Sequence, residues 1–423
     1  MQEKYNTIIF SSLPFVNKNI IDNLEDNDPD IYLNNLYNFN YNSRIDFRIL
    51  DSNKFKVLEI FPHSKNNINM ILSHLGLKIK DENLYLKVFK IIKNINPSLI
   101  IIRNYEAINL DYFFNFKYEN KMNFYTVLLC GFPIRYERFY SKFDKVIFRN
   151  PHLLKKYYNH CKSSNLIYHC FNSNVLKKIN LKSFDEKKVN VSFQGSSYGQ
   201  NFLAHKKRYL YLFNLLEKNL LTASIHEKPS NFDNMVFTIY SLHKLFGKKF
   251  DLLILNLLKI IITTNKIIFK KFYKRFEILY FHIKNFKNKE DPNFYAGPLK
   301  KIFKDVKNEK FGNEYLEEIN NSKISINIHT DAMENTTANI RLFEIPGMGS
   351  CQITEDTENL RELFIPEKEV ITYSNLNDLQ EKIIFLKKNY KKAKEIASAG
   401  YQKVVTEHTE INRIKEFNDL LKF

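Results

Sequence analysis

Tryptophan is absent from the 423 residues, and cysteine occurs only four times. Cys130, Cys161, Cys170 and Cys351 show no paired spacing, which excludes a small disulfide-stapled scaffold and suits a reducing compartment. His160-Cys161 and His169-Cys170 set metal-binding residue types side by side. No CxxC or HxxxH spacing accompanies them, so structural roles are expected and no metal site is read. The chain also lacks an apolar run of the roughly 18 to 20 residues that a transmembrane helix needs. The opening MQEKYNTIIFSSLPF is too short and too polar in its apolar centre for a signal peptide. It is expected to begin the fold, and a cytoplasmic location follows. No internal repeat or disordered tail is evident.

Hydrophobic residues make up 44% and aromatics 15%, enough to fill the cores of two or three domains. The formal net charge is +18, which fits an anionic substrate, nucleic acid or an acidic membrane surface. Lys, Asn, Ile, Phe and Tyr are in excess throughout, a skew that coding bias produces by itself, and most of the charge is assigned to it. An RNA-binding module would show an aromatic and basic signature, and none is found, so no nucleic-acid partner is expected.

Along the first 172 residues, strands alternate with helices. Strands are expected at 6–11, 47–50, 56–61, 99–102, 125–130, 146–148 and 166–168, and helices at 64–75, 85–96 and 151–160. This spacing predicts a doubly wound α/β domain with buried, β-branched parallel strands. After the strand at 56–61 comes Pro62-His63-Ser64, placing His63 at the carboxyl edge of the first sheet. A histidine there is a candidate general base, and the competing reading is a polar residue that merely begins the helix.

A Lys-rich linker covers 172–187, and a new strand is expected at 189–193. Gly195 and Ser196 follow as a loop, and the helix from residue 205 carries Lys206, Lys207 and Arg208 in its first turn. Cations are disfavoured at a helix amino terminus, so three together suggest a bound anion; a solvated basic turn is the alternative. A strand at 221–225 precedes a segment, 230–291, rich in both apolar and basic residues. It is expected to form a helical insertion that either packs within the protein or lies on an anionic membrane.

The stretch 320–354 organises the second half. Its order is strand (323–328), polar loop (329–338), short helix and strand (350–354). The loop leaving the carboxyl end of such a strand is where open parallel sheets bind ligands. It offers His329, Asn335, Thr336 and Thr337, followed by Asn339, Arg341 and Glu344 on the helix. A cation and a carboxylate beside free amides suit a phosphorylated, hydroxyl-bearing ligand, whereas a helix cap followed by a surface ion pair is the plainer account. Further on, helices are expected at 357–363, 378–388, 390–399 (ended by Gly400) and from 410, with a last strand at 369–373.

The runs SKISINIHTD, NIRLFEIPGMGSCQITE, LRELFIPEKEVITYSNLNDLQEKI and IASAGYQKVVTEHTEINR, in this order, resemble the carboxyl-terminal domain of the CgeB-like glycosyltransferases. VSFQGSSYGQNFLAHKKR at 191–208 is more loosely similar to the first strand and phosphate-facing loop of that domain. The resemblance implies a GT-B architecture with two Rossmann-like domains facing a cleft. The acceptor domain would be 1–172, the nucleotide-sugar domain 173–409, and the terminal helix 410–423 would pack back on the first domain. It implies that Glu344 bonds the ribose hydroxyls and that residues 335–339 give amides to the diphosphate. Gly195, Ser196, Arg341, Lys206 and Arg208 would assist, and no bound metal or other cofactor is required. Many GT-B enzymes carry a sugar-contacting glutamate eight residues before the ribose glutamate. Here that position is Thr336, with Glu334 two residues further back. A nucleotide-sugar donor and a glycan or lipid-linked acceptor are the expected partners. Two alternatives remain open, a sugar-nucleotide epimerase of the same fold and a non-catalytic basic scaffold.

Overall fold

The computed structural model describes residues 5–11, 28–33, 47–50, 53–78, 83–103, 105–131, 137–196, 206–226, 246, 250, 252–260, 299, 303–330 and 335–421. The fold is α/β, with two six-stranded sheets. Every pairing whose register is described is parallel.

The first sheet contains β1 (Thr7–Phe10), β2 (Val57–Ile60), β3 (Leu99–Ile102), β4 (Tyr125–Cys130), β5 (Lys145–Phe148) and β6 (Ser164–Leu166). Their order is β2-β1-β3-β4-β5-β6. Between them run α1 (Lys65–His74), α2 (Leu84–Ile95), α3 (Leu110–Glu119) and α4 (Pro151–Tyr157). β3 is buried along its whole length, so it reads as the unbroken apolar run LIII rather than an alternating one. Local signals set the helix ends. Ser64 accepts from the Asn67 amide at the start of α1, Asn150 accepts from His152 and Leu153 at the start of α4, and Gly76, at φ +67°, follows the end of α1.

The second sheet contains β7 (Val189–Ser196), β8 (Thr222–His226), β9 (Val306–Asn308), β10 (Ser322–Asn327), β11 (Cys351–Glu355) and β12 (Ile371–Tyr373), in the order β12-β11-β10-β7-β8-β9. The helices of this half of the chain are α5 (Lys206–Glu217), α6 (Gly312–Asn320), α7 (Arg341–Gly347), α8 (Leu376–Lys388), α9 (Tyr390–Glu407) and α10 (Glu410–Leu420). Ile414, Phe417 and Leu421, from α10 and its cap, share a buried cluster with Ile9, Val57, Leu99 and Ile101 of the first sheet and with Phe47.

By contacts the chain divides into two compact units. One comprises residues 1–192, 310–329 and 333–423; the other comprises 193–309 and 330–332. The first unit therefore contains the whole first sheet together with β10, β11 and β12. The second holds the distal part of β7, with α5, β8 and β9.

Several sequence expectations are corrected. Phe47–Ile49 form a 3-10 turn rather than the strand expected at 47–50, and Phe47 and Leu50, three apart, are both buried. The strand expected at 166–168 lies at Ser164–Leu166; the carbonyls of Ile167 and Tyr168 instead accept from the Arg149 guanidinium at 3.3 and 2.9 Å. The helix expected at 357–363 is only a 3-10 turn at Leu360–Glu362. Gly195 and Ser196 are the last residues of β7, not a loop beyond it. Gly400 does not end a helix, since α9 continues to Glu407. A Cβ there would stand 2.5 Å from the Glu369 carbonyl oxygen, so the glycine permits a close approach of helix to backbone. Of the insertion at 230–291, only residues 246, 250 and 252–260 are described, and 252–260 is helical. The rest lies outside the described residues.

Candidate nucleotide-sugar site

Within the first unit, the carboxyl ends of β10, β11 and β12 bring Asn327, Glu355 and Tyr373 together. In-register pairing sets Ser325 and Asn327 beside Gln352 and Thr354, while Ile324 and Ile326 lie beside Cys351 and Ile353. Of these, Asn327 and Thr354 reach the loop that follows. Asn327 and Asn339 exchange amide hydrogen bonds of 3.0 and 2.7 Å, and the Asn339 side chain accepts from the Leu342 amide at 3.1 Å. Asn339 is thereby a cap that anchors α7 to the end of β10.

His329 is buried among hydroxyls, its Nε2 lying 2.9 Å from Thr337 Oγ1 and 3.3 Å from Thr354 Oγ1. Its backbone amide donates to Glu355 Oε1 at 2.9 Å, and the Tyr373 hydroxyl donates to the same oxygen at 3.2 Å. Asn359 holds the backbone of Thr337 on both sides, accepting from its amide and donating to its carbonyl, each at 2.8 Å. It also donates to the Tyr168 hydroxyl at 3.1 Å. Thr336 Oγ1 exchanges hydrogen bonds with the Asn150 amide group at 3.1 and 3.2 Å, and Asn335 donates to Glu358 at 3.2 Å. The side chains of Asn339, Thr336 and Thr337 and the Thr337 amide are thus engaged in holding the loop. The amides of Asn339 and Ile340 precede the first helical bond, so α7 does not take them up.

Glu344, on α7, is 4% exposed. Its Oε2 accepts from the Tyr315 hydroxyl of α6 at 3.0 Å. Among the described residues Oε1 accepts no hydrogen bond. Burial pushes the carboxyl up to about 7, against the opposing pull of the Tyr315 hydrogen bond and the Arg341 charge. Arg341 is partly exposed one turn earlier, and burial lowers its affinity for its proton.

The remaining candidates stand elsewhere. In the second unit, Arg208 is 2% exposed and donates to the Ser196 carbonyl at 2.7 Å, so this cation fastens α5 to the end of β7. Lys207 lies 5.7 Å from the centre of the Tyr211 ring. The Lys206 backbone begins α5, and Gly195 has φ 150°. His63 is exposed after β2, with Nε2 3.0 Å from the Glu106 carbonyl. Ser64 rather than His63 caps α1. Glu334 lies outside the described residues. Sequence reasoning missed Tyr315, Glu355, Asn359 and Tyr168; the carboxylate closing the strand CQITE was the one visible signal, and the other three act on residues distant in sequence. No group of three or more His, Cys, Asp or Glu side chains among the described residues could hold a metal ion. No described helix is long and apolar enough to cross a membrane.

Two sheets of this topology define a GT-B fold. Residues 297–419 match the family described as Glycosyl transferase-like. No curated protein matches the chain in sequence. Among solved structures, a glycosyltransferase from Rickettsia africae is 14% identical with TM-score 0.50, covering 99% of this chain and 98% of that one. Anabaena Alr3699/HepE, solved with UDP and glucose, is 10% identical with TM-score 0.51, each chain being 99% covered. The same protein with UDP-glucose gives 10% identity and TM-score 0.51, with 98% of each chain covered.

Proposed function

We propose that the protein is a metal-independent glycosyltransferase whose second domain holds a nucleotide-sugar donor and whose first domain receives the acceptor. The observation that carries this reading is Glu344, a nearly buried side chain with one carboxylate oxygen fixed by Tyr315 and the other without a protein donor among the described residues. Such an oxygen suits the hydroxyls of a ribose, which donate to an ionised carboxylate. The amides at 339 and 340 and the Arg341 guanidinium complement the diphosphate, and stabilising its departure needs donors already in place. Thr336 brings no carboxylate to the sugar, and its hydroxyl is already bonded to Asn150. A fold shared with a protein solved with UDP-glucose makes UDP-sugars the first probes.

His63 is the proposed base. With Nε2 donating to the Glu106 carbonyl, Nδ1 is the nitrogen that carries the lone pair. Like the CgeB-like subtype, a cytoplasmic location and a glycan or lipid-linked acceptor stay part of the proposal. So does peripheral contact of 230–291 with an anionic membrane. In its described helix, Leu252, Leu253, Leu257 and Ile260 are exposed beside Lys259. Flotation with anionic liposomes tests this contact, and failure to float removes it.

The test of the function is thermal stabilisation by a panel of UDP-, ADP-, GDP- and CMP-sugars, followed by transfer assays with the hit. A ligand at 100 times its Kd stabilises by about 2.7 kcal/mol. If no member of the panel stabilises the protein at millimolar concentration, the reading falls.

A further inference from the structure

Glu344 reaches its environment through a pair of helices that are fastened at two places. At one, the Tyr315 hydroxyl of α6 donates to Glu344 Oε2 on α7 at 3.0 Å. At the other, Nζ of the buried Lys187 donates to the Asn320 carbonyl, the last residue of α6, at 2.6 Å and to the Met348 carbonyl, the cap of α7, at 3.0 Å, and burial lowers this amine to about 7. Ser350 Oγ adds a bond to the Ile319 carbonyl at 2.7 Å. Both helices are therefore tied to the same side chain at their carboxyl ends, which holds together the backbones that carry Tyr315 and Glu344. Tyr315 is itself only partly buried, while Glu344 is 4% exposed.

We propose that Tyr315 is a positioning residue for Glu344, its hydroxyl occupying Oε2 so that Oε1 is held as the acceptor for the ribose hydroxyls of a bound nucleotide. This rests on the reading of the site as a nucleotide-sugar site. A hydrogen bond to a carboxylate also favours its charged form, which is the form that accepts from hydroxyls. Among the described residues the groups acting on Glu344 are Tyr315 from α6 and Arg341 from its own helix, and Tyr373 from β12 acts on Arg341. Burial opposes both. Removing the phenol hydroxyl thus leaves a carboxyl more readily protonated, and a nucleotide loses its acceptor near neutral pH.

Tyr315→Phe deletes that hydroxyl alone. In protein labelled with ¹³C at glutamate carboxyls, the Glu344 resonance, assigned by its absence in Glu344→Gln, should titrate about one to two pH units higher in Tyr315→Phe than in the wild type. The affinity for UDP should fall about tenfold at pH 7 and return to near the wild-type value at pH 9, a pattern that a general loosening of the fold would not give. If Tyr315→Phe does not fold, fluorotyrosine at 315, a stronger donor of nearly the same size, should move the midpoint down. Unchanged midpoints in either substituted protein overturn the proposal. If the wild type binds no nucleotide, the reading of the site fails, while the carboxyl titration still reports whether Tyr315 controls Glu344.

Discussion

Replacing Glu344 by Gln should change the pH dependence of stability in a defined window. Burial raises the carboxyl from 4.5 to about 7 in the folded protein. A group whose folded pKa is raised stabilises fully below its unfolded pKa and loses that contribution as pH rises through the folded one. The folded state therefore suffers increasingly from the buried charge as pH climbs from 4.5 to above 7. At 1.36 kcal/mol per unit, the interval from 4.5 to about 7 corresponds to roughly 3 kcal/mol as an upper bound. Gln cannot ionise, and its amide keeps an oxygen to accept from Tyr315. Urea unfolding of both proteins at pH 5 and pH 8 gives the difference directly, followed through amide protection of β10 and β11 so that the transition read is that of this domain. Relative to the wild type, the variant should gain on the order of 2 to 3 kcal/mol on moving from pH 5 to pH 8. Parallel behaviour of the two proteins would show that Glu344 is not a buried titrating carboxyl and would refute the reasoning. Activity should respond in the opposite sense, because the ionised form serves the donor: Glu344→Ala should abolish transfer and weaken nucleotide binding with the fold intact.

At the carboxyl edge of the first sheet, Arg103 pairs with Glu59 at 2.9 Å, both side chains nearly buried, and Ser11 also donates to that carboxylate. Arg103→Met removes the guanidinium from this buried carboxylate and should cost about 3 to 5 kcal/mol in denaturant titration, most of it recovered by adding Glu59→Gln. Gly400→Ala pushes a methyl against the Glu369 carbonyl and the Pro346 side chain, and should cost about 1 to 3 kcal/mol in the same assay. His63→Ala should slow turnover about 100-fold with saturating donor and the true acceptor while donor affinity is preserved; wild-type turnover would remove His63 as the base.

Much of the fold was legible because it follows from local chemistry. The run LIII at 99–102 has no polar face to give to water and can only be an interior strand. Ser64 and Asn150 end the preceding coil by capping, and Gly76 accepts a positive φ that other residues resist, whereas the helix that Asn109 caps was not read from the sequence. The order of strand, polar loop, short helix and strand across 320–354 also follows from spacing, and with it the residues that could meet a ligand. What each of those residues does was decided by partners that spacing does not encode. Thr336 meets Asn150 from 186 positions away, Glu344 meets Tyr315 from 29, and Thr337 is held by Asn359 from 22. Arg208 reads as a free cation at a helix start, yet packing buries it against the end of β7. Gly400 reads as a helix stop, yet it lies inside α9 because the Glu369 backbone passes too close for a side chain. Propensity and period act over a few residues and fix which elements form. Burial and hydrogen-bond partners depend on how those elements pack, and packing alone turned the Glu344 carboxyl into a group that titrates near neutrality.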